Sequence, residues 1–290
     1  MSVFCTVFTP AYNRRELMIR LFDSLCAQTD KDFEWVIVDD GSTDGTQEAV
    51  GGFADGGFPI VYKKVENGGK HRAINHGLTL ASGKVFAIVD SDDHLTPDAI
   101  EVIKAHFATI EGEERSFCGV ATNRKNDATM EIVGTFGDGE YVDAKATERD
   151  KYGLSGDKFE IYYTEILKKY PFPEIEGEKF MTEAVVWNRL AAAGYYIRWF
   201  NDAAYLGQYL EGGLTDSREA CIEKSPKGYL LYIKELVEFA GLSLLQRWKY
   251  YSFYAKVRRR SVGLRVVAKE LEVNVVPLWF FVTLRAILKR

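Results

Sequence analysis

Cysteine is scarce in this chain of 290 residues, and the four present (Cys5, Cys26, Cys118 and Cys221) lie far apart with no CxxC pair. That spacing excludes a disulfide framework and a zinc site; Cys5 and Cys26, set among apolar residues, read as core thiols of a reducing compartment. No stretch reaches the roughly 18 uninterrupted apolar residues of a membrane-spanning helix. No leader is legible, since Met1-Ser2-Val3 runs straight into apolar sequence, so the expected location is the cytoplasm. Repeats and low-complexity segments are absent. His71, His76 and His94 have no spacing that suggests a metal site or a nucleophile.

What is present is ordinary globular composition, 47% hydrophobic and 27% charged, enough for one large domain with an appendage. The net charge of −5 is uneven: Arg247–Arg290 holds 11 Lys/Arg against Glu270 and Glu272, a balance of +9 that leaves −14 for the remainder. An acidic body with a basic tail signals a partner.

The run Val89-Asp90-Ser91-Asp92-Asp93 is the most informative segment. It follows an apolar stretch, Val85–Val89, that reads as a buried strand. Carboxylates crowded at a strand's end repel one another unless something positive sits among them. A divalent cation with oxygen ligands, itself binding nucleotide phosphates, is one answer. The other is a solvated acidic turn that caps the next helix, since Thr96-Pro97-Asp98 is a helix-start signal.

The first hundred residues read as four strand–loop–helix units. Val3–Thr9, Phe33–Val38, Ile60–Val65 and Val85–Val89 are the strands. Asn13 with Glu16 predicts a capping box, with Leu17, Leu21, Leu25, Met18, Phe22 and Cys26 on the apolar helix face. A second helix runs to about Val50, before the Gly-rich turn Gly51–Gly57. The third has Ala73, Ile74, Gly77, Leu78 and Ala81 inward. This alternation predicts a doubly wound, mostly parallel α/β sheet, whose ligands bind beyond the carboxyl ends of the strands. Thr9–Asn13, Asp39–Asp44, Asn67–Arg72 and Asp90–Asp93 all fall at that edge.

After Pro97–Phe107, Phe117–Thr122 and Met130–Phe136 read as strands around a polar turn, Arg124–Ala128. Lys158–Tyr163 reads as a strand and is followed by a short helix. A helix ends at Ala193, Tyr195–Phe200 and Ala204–Tyr209 read as strands, and Glu211–Thr215 reads as a flexible loop. From Ser225-Pro226 onward the pattern is helical, with a capping box at Ser243 and Gln246.

Phe8-Thr9-Pro10-Ala11-Tyr12-Asn13, Val38-Asp39-Asp40-Gly41-Ser42-Thr43-Asp44 and Asp90-Ser91-Asp92-Asp93 resemble the ordered motifs of glycosyltransferase family 2. The resemblance is greatest over Val3–Ala108, weaker to about Thr215 and absent beyond. It implies the GT-A (Rossmann-like) fold, with a catalytic domain over 1–215 and a basic, aromatic-rich helical region over 216–290. It also implies inverting transfer from a nucleotide sugar.

On that resemblance Asp40 accepts from the N–H of a pyrimidine base, Tyr12 covers its face, and Thr9 and Pro10 line its pocket. Asp92 is the direct ligand of Mg²⁺ or Mn²⁺, Asp90 reaches the ribose or a metal-bound water, and Asp93 either joins them or serves the following helix. Lys70 and Arg72, behind Gly68-Gly69, are candidates for the phosphates. Glu183, opening the helix with Val186, Trp187 and Leu190, is the expected base for the acceptor hydroxyl; the alternative is that it only favours the helix N-terminus. Glu178 is its rival.

The reading is therefore a metal-dependent, UDP-sugar-using glycosyltransferase of the hexosyltransferase class, acting on a saccharide or lipid-linked acceptor, with no nucleic-acid partner. A non-catalytic nucleotide-sugar-binding protein of the same fold is an alternative. A sugar nucleotidyltransferase is another, although that class carries a Gly-rich, basic loop after its first strand and this chain has Thr-Pro-Ala-Tyr-Asn. In 247–290 the basic residues interleave with Trp248, Tyr250, Tyr251, Phe253, Tyr254, Trp279, Phe280 and Phe281. Such helices either lie in an anionic membrane interface, here the inner face of a plasma membrane during surface polysaccharide assembly, or pack on the catalytic domain.

Overall fold

β1 (Cys5–Ala11) is buried along nearly its whole length because it lies between two parallel partners, β2 (Phe33–Asp39) and β4 (Val85–Ile88). The computed structural model describes residues 3–53, 56–207 and 218–288. β3 (Ile60–Lys64) pairs in parallel with β2 and forms one edge of the sheet. Across β4 the direction reverses: β8 (Lys158–Tyr163) is antiparallel to it and to β6 (Phe117–Asn126). β9 (Tyr196–Gly207) then runs parallel to β6, with β5 (His94–Leu95) and β7 (Tyr141–Ala144) antiparallel on its outer side. Among the described residues the sheet has nine strands in the order β3-β2-β1-β4-β8-β6-β9-β5, with β7 also on β9. The expected parallel order holds for the first four strands; the second half is largely antiparallel.

Helices cover both faces. α1 (Arg15–Cys26) and α4 (Ala99–Ala108) bury Met18, Leu21, Leu25, Ile100, Ile103 and Phe107 against one. α3 (Lys70–Leu80) and α6 (Ala184–Ala192) bury Ala73, Ile74, Val185, Val186 and Leu190 against the other. Gly77 is required where α3 crosses β1, because a Cβ there would enter the Phe8 ring. The short helices α2 (Thr46–Gly51) and α5 (Thr164–Leu167) complete this part.

Several expectations need correction. Asn13 forms no capping box with Glu16; it adopts φ +53° and its side-chain oxygen accepts from the Thr43 N–H, joining two loops instead of capping α1. Cys26 is exposed, whereas Cys5 is buried and its thiol is pushed far up by burial. Met130–Phe136 is not a strand: β6 runs on to Asn126, so the predicted turn begins later, at 127–129, Met130 sits at positive φ, and only isolated bridges from Ile132 and Thr135 remain. The two predicted strands between Tyr195 and Tyr209 are one strand to Gly207. The loop 211–215, the tip of the turn at 54–55 and the expected domain boundary at 215/216 lie outside the described residues.

The C-terminal helices are α7 (Arg218–Lys224), α8 (Pro226–Phe239), α9 (Leu244–Arg258), α10 (Leu264–Glu270) and α11 (Val275–Leu288). The capping box at Ser243 and Gln246 is present. These helices share a core that includes Ile222, Ile233, Tyr254, Val267, Leu278 and Val282. α8 docks on α6, where the Arg189 guanidinium donates from Nε and Nη2 to the Glu235 carboxylate at 2.6–3.1 Å.

Candidate active site

The parallel strands β1 to β4 deliver their following loops to one edge, as the alternation required. At that edge Asp39 is fully buried, accepting from the Ser42 N–H at 2.7 Å and the Tyr62 hydroxyl at 2.5 Å. Asp40, next along, holds the loop after β3: its carboxylate accepts from the Gly68 N–H at 2.7 Å, the Gly69 N–H at 2.8 Å and the Asn67 amide at 3.1 Å. Gly69 adopts φ +97°, and a Cβ there would collide with the Lys179 carbonyl. This glycine is thus what lets the loop press against the strap formed by residues 171–179. Asp44 caps α2 through Thr46 and accepts from the Arg15 N–H, a framework role.

Lys70 opens α3 directly behind this loop. Its Nζ lies 2.6 Å from Asp90 Oδ1 and 2.8 Å from Glu183 Oε1. One ammonium thereby joins a carboxylate from the end of β4 to one at the start of α6, residues 93 positions apart in the chain. Burial disfavours the Lys70 charge, but Asp90 and Glu183 outweigh it and hold its pKa above the usual lysine range. Glu183 occupies the residue before α6 without a side-chain capping bond; its carboxylate faces Lys70 instead.

The acidic run divides into distinct environments. Asp92 is half-buried and makes no side-chain hydrogen bond or ion pair among the described residues. Asp93, by contrast, is buried, accepting from Arg124 Nη2 at 2.9 Å and from the Tyr205 hydroxyl at 2.7 Å. Burial pushes its pKa up to about 7 against the pull of Arg124 and Tyr205. The same Tyr205 oxygen accepts from the Asp90 N–H at 3.2 Å, so Arg124, Asp93 and Tyr205 form a brace beneath the loop. Asp93, expected either beside the metal ligands or serving the following helix, has its oxygens on Arg124 and Tyr205 and supports the loop from below. Sequence reasoning missed Arg124, assigned to a turn, and Tyr205, assigned to a strand; only the β6–β9 pairing brings them together.

Arg72 offers its fork to carbonyls, with Nη1 donating to Gly68 at 2.6 Å and Glu178 at 2.7 Å and Nη2 to Ile175 at 2.8 Å. It fastens the strap to α3. Thr9 is buried with its hydroxyl accepting from the Trp35 indole at 3.0 Å, so it offers only backbone to a base pocket. Pro10 is half-buried and Tyr12 half-exposed at the rim. Glu178, the rival base, accepts from the Lys227 N–H at 2.9 Å and the Gly228 N–H at 2.8 Å. It caps α8, and its two oxygens are committed there.

No group of three or more His, Cys, Asp or Glu that could hold a metal occurs among the described residues. Asp90 and the unpartnered Asp92 nevertheless suit Mg²⁺ or Mn²⁺, hard cations that keep several waters and take one or two carboxylates plus substrate phosphates. The donor set fits such an ion, with phosphate supplying the remaining oxygens. Glu160, on β8 and facing the α6 side, is a further acid that sequence reading left unmarked. It lies 3.8 Å from Arg149, and burial pushes it up to about 7.

The model of the family described as Glycosyl transferase family 2 matches residues 6–133. GlyA, a glycosyltransferase of Streptococcus pneumoniae, is 39% identical over 98 residues, which are 34% of this chain and 14% of that protein. The hyaluronan synthase of Pasteurella multocida is 34% identical over 119 residues, 41% of this chain and 12% of that one. The chain therefore matches only a small fraction of these relatives' lengths. Among solved structures, S. aureus TarS 1–349 in complex with UDP-GlcNAc has a TM-score of 0.62 at 23% identity, covering 89% of this chain and 73% of that one. Mannosyltransferase PcManGT from Pyrobaculum calidifontis, in complex with GDP-Man and Mn2+, has a TM-score of 0.60 at 17% identity, covering 99% and 81%. Likeness at such identities establishes the fold.

Proposed function

Since residues 6–133 match the model of glycosyl transferase family 2 and the chain has the GT-A fold, we propose that it belongs to that family and transfers a sugar, with inversion, from a UDP-sugar to a hydroxyl of a saccharide or lipid-linked acceptor. The observation that carries this reading is the meeting of Asp90 and Glu183 at Lys70, beside the unpartnered Asp92. In this reading Asp40 accepts from the base, since a carboxylate has about four acceptor positions and the loop amides leave room for one more. Pro10, Tyr12 and the Thr9 backbone border that base. Asp90 and Asp92 hold Mg²⁺ or Mn²⁺, which when bound offsets charge on the departing diphosphate. Glu183 takes the proton of the acceptor hydroxyl as its oxygen attacks the anomeric carbon, and the bond from that carbon to the diphosphate oxygen breaks on the opposite side. Lys70, released from its carboxylates, is within the same cluster to meet the diphosphate.

The test is release of UDP from UDP-sugars in the presence of Mn²⁺, with GDP- and TDP-sugars as controls and thermal shift reporting binding by mass action. Binding of a donor with no nucleotide release and no transfer to any saccharide would favour the non-catalytic alternative.

The appendage supports a membrane surface as the second partner. α11 packs Leu278 and Val282 inward while Val276, Trp279, Phe280 and Ile287 stand exposed along its other side. Leu244 and Leu245, about three-quarters exposed, precede Trp248 by one turn, and the Trp248 ring stacks on Phe281 at 4.9 Å. Among the described residues no helix is long and apolar enough to cross a membrane. An exposed apolar stripe in a strongly basic segment suits an anionic bilayer interface, where a lipid-linked acceptor would be presented.

A further inference from the structure

We propose that Lys70 is an internal stand-in for the cation: it occupies Asp90 and holds Glu183 until a donor diphosphate draws it away. The inference deepens the glycosyltransferase reading and rests on it. The backbone around Lys70 is pinned. Gly68 and Gly69 donate to Asp40 at 2.7 and 2.8 Å, and the Lys179 carbonyl packs where a Gly69 Cβ would stand. Lys179 Nζ also donates to Asn67 at 2.7 Å. Only the side chain of Lys70, about a quarter exposed, is left to move.

Its two partners come from opposite halves of the fold and would repel each other unpaired. A divalent ion entering between Asp90 and Asp92 would meet an ammonium already 2.6 Å from Asp90 Oδ1. Two cations on one carboxylate oxygen repel strongly, so the ion enters only as Lys70 leaves. Leaving is unfavourable until another anion is present, and the donor's diphosphate is such an anion. The cation and the nucleotide are therefore coupled through one side chain, each strengthening the other as linkage requires. Lys70 acts here as a positioning residue: with donor absent it holds Glu183 in place, and with donor bound it frees that carboxylate to face the acceptor.

The experiment is a titration of Mn²⁺ without nucleotide, followed by water-proton relaxation or electron paramagnetic resonance, on the full chain. Lys70→Gln should bind Mn²⁺ at least about tenfold more tightly than the parent, given the Coulomb energies of charges this close. Lys70→Arg, which keeps the charge, should restore weak binding. UDP should then improve Mn²⁺ affinity less in Lys70→Gln than in the parent. If Lys70→Gln does not fold, as judged by circular dichroism and its unfolding midpoint, Lys70→Met serves the same purpose. Unchanged or weaker Mn²⁺ binding in the folded neutral variant overturns the inference while leaving the glycosyltransferase reading intact. If Asp92→Ala retains full Mn²⁺ binding, the metal site itself is wrong and the inference falls with it, while release of UDP tests the glycosyltransferase reading separately.

Discussion

Asp92 and Glu183 differ in what their surroundings demand of them, and single substitutions separate the two roles. Asp92 has no partner among the described residues to lose. Asp92→Ala should therefore leave the unfolding midpoint unchanged and abolish Mn²⁺-dependent UDP binding, as measured by calorimetry; activity persisting in excess chelator would contradict it. Glu183→Gln keeps the shape of the side chain and removes its basicity. It should bind donor normally and turn over roughly 10²–10⁴-fold more slowly, and near-normal turnover would reassign the base. Glu160 supplies a pH signature. Burial raises it from 4.5 to about 7 against Arg149, with Glu183 and Asp157 adding to the rise. The folded state thus keeps a proton that the unfolded chain gives up, so stability falls as pH increases from about 4.5 through 7. Glu160→Gln should flatten that fall without abolishing it, because Asp93 titrates in the same direction. Urea unfolding at pH 5 and pH 7.5 measures the difference, and identical slopes in both proteins would refute it.

Among the elements, α6 joins the site to the appendage: Glu183 precedes its first turn and Arg189 grips Glu235 of α8. Glu178 closes the same junction by capping α8. Glu178→Ala should loosen the first turn of α8, costing roughly 1–3 kcal/mol for the buried amides left unpaired. Hydrogen exchange at Lys227 and Gly228 should accelerate, while turnover falls far less than in Glu183→Gln. A turnover loss equal to that of Glu183→Gln would return Glu178 to candidacy. Legibility varied by element for physical reasons. β1, β2 and β4 were readable because strands buried on both faces are largely apolar, β3 from its apolar start Ile60-Val61-Tyr62 although it is a partly exposed edge strand, and α3 because its inward residues recur at helical spacing. β8 was likewise bounded as predicted. Met130–Phe136 had the composition of a strand, but it meets just the end of β6, at Asn126–Glu131 and Arg124–Val133, before β6 stops at Asn126, so a single bridge forms there and composition misled. Arg72 and Asp93 were read by position in a motif; what they bond to depends on the strap and on β9, which lie far along the chain. The Asp90–Lys70–Glu183 meeting is likewise a product of topology, invisible to spacing.

For the whole molecule, charge and apolar exposure concentrate on the appendage. Pairing with acids consumes part of the basic excess: Lys256 and Arg260 meet Glu219, and Arg258 meets Glu270. Electrostatic attraction to a bilayer should thus be weaker than the bare +9 of 247–290 suggests, leaving Trp279 and Phe280 a large share of any attachment. Replacing both with Ser should release the protein from anionic liposomes in co-sedimentation at low salt without shifting its melting transition, as their side chains are more than half exposed. Equal sedimentation of parent and variant, or none by either, would remove the membrane partner. The edges of the sheet carry a separate consequence, for self-association. An outer strand is a template on which another chain can lay a further strand. Here one outer strand, β3, ends in Lys63-Lys64, and the other side is divided between β5, two residues long, and β7, four residues long. A second molecule finds a charged stop at one side and only short, interrupted ladders at the other. The sheet is thereby guarded against growing into a fibre, even while its C-terminal helices keep apolar side chains in the open.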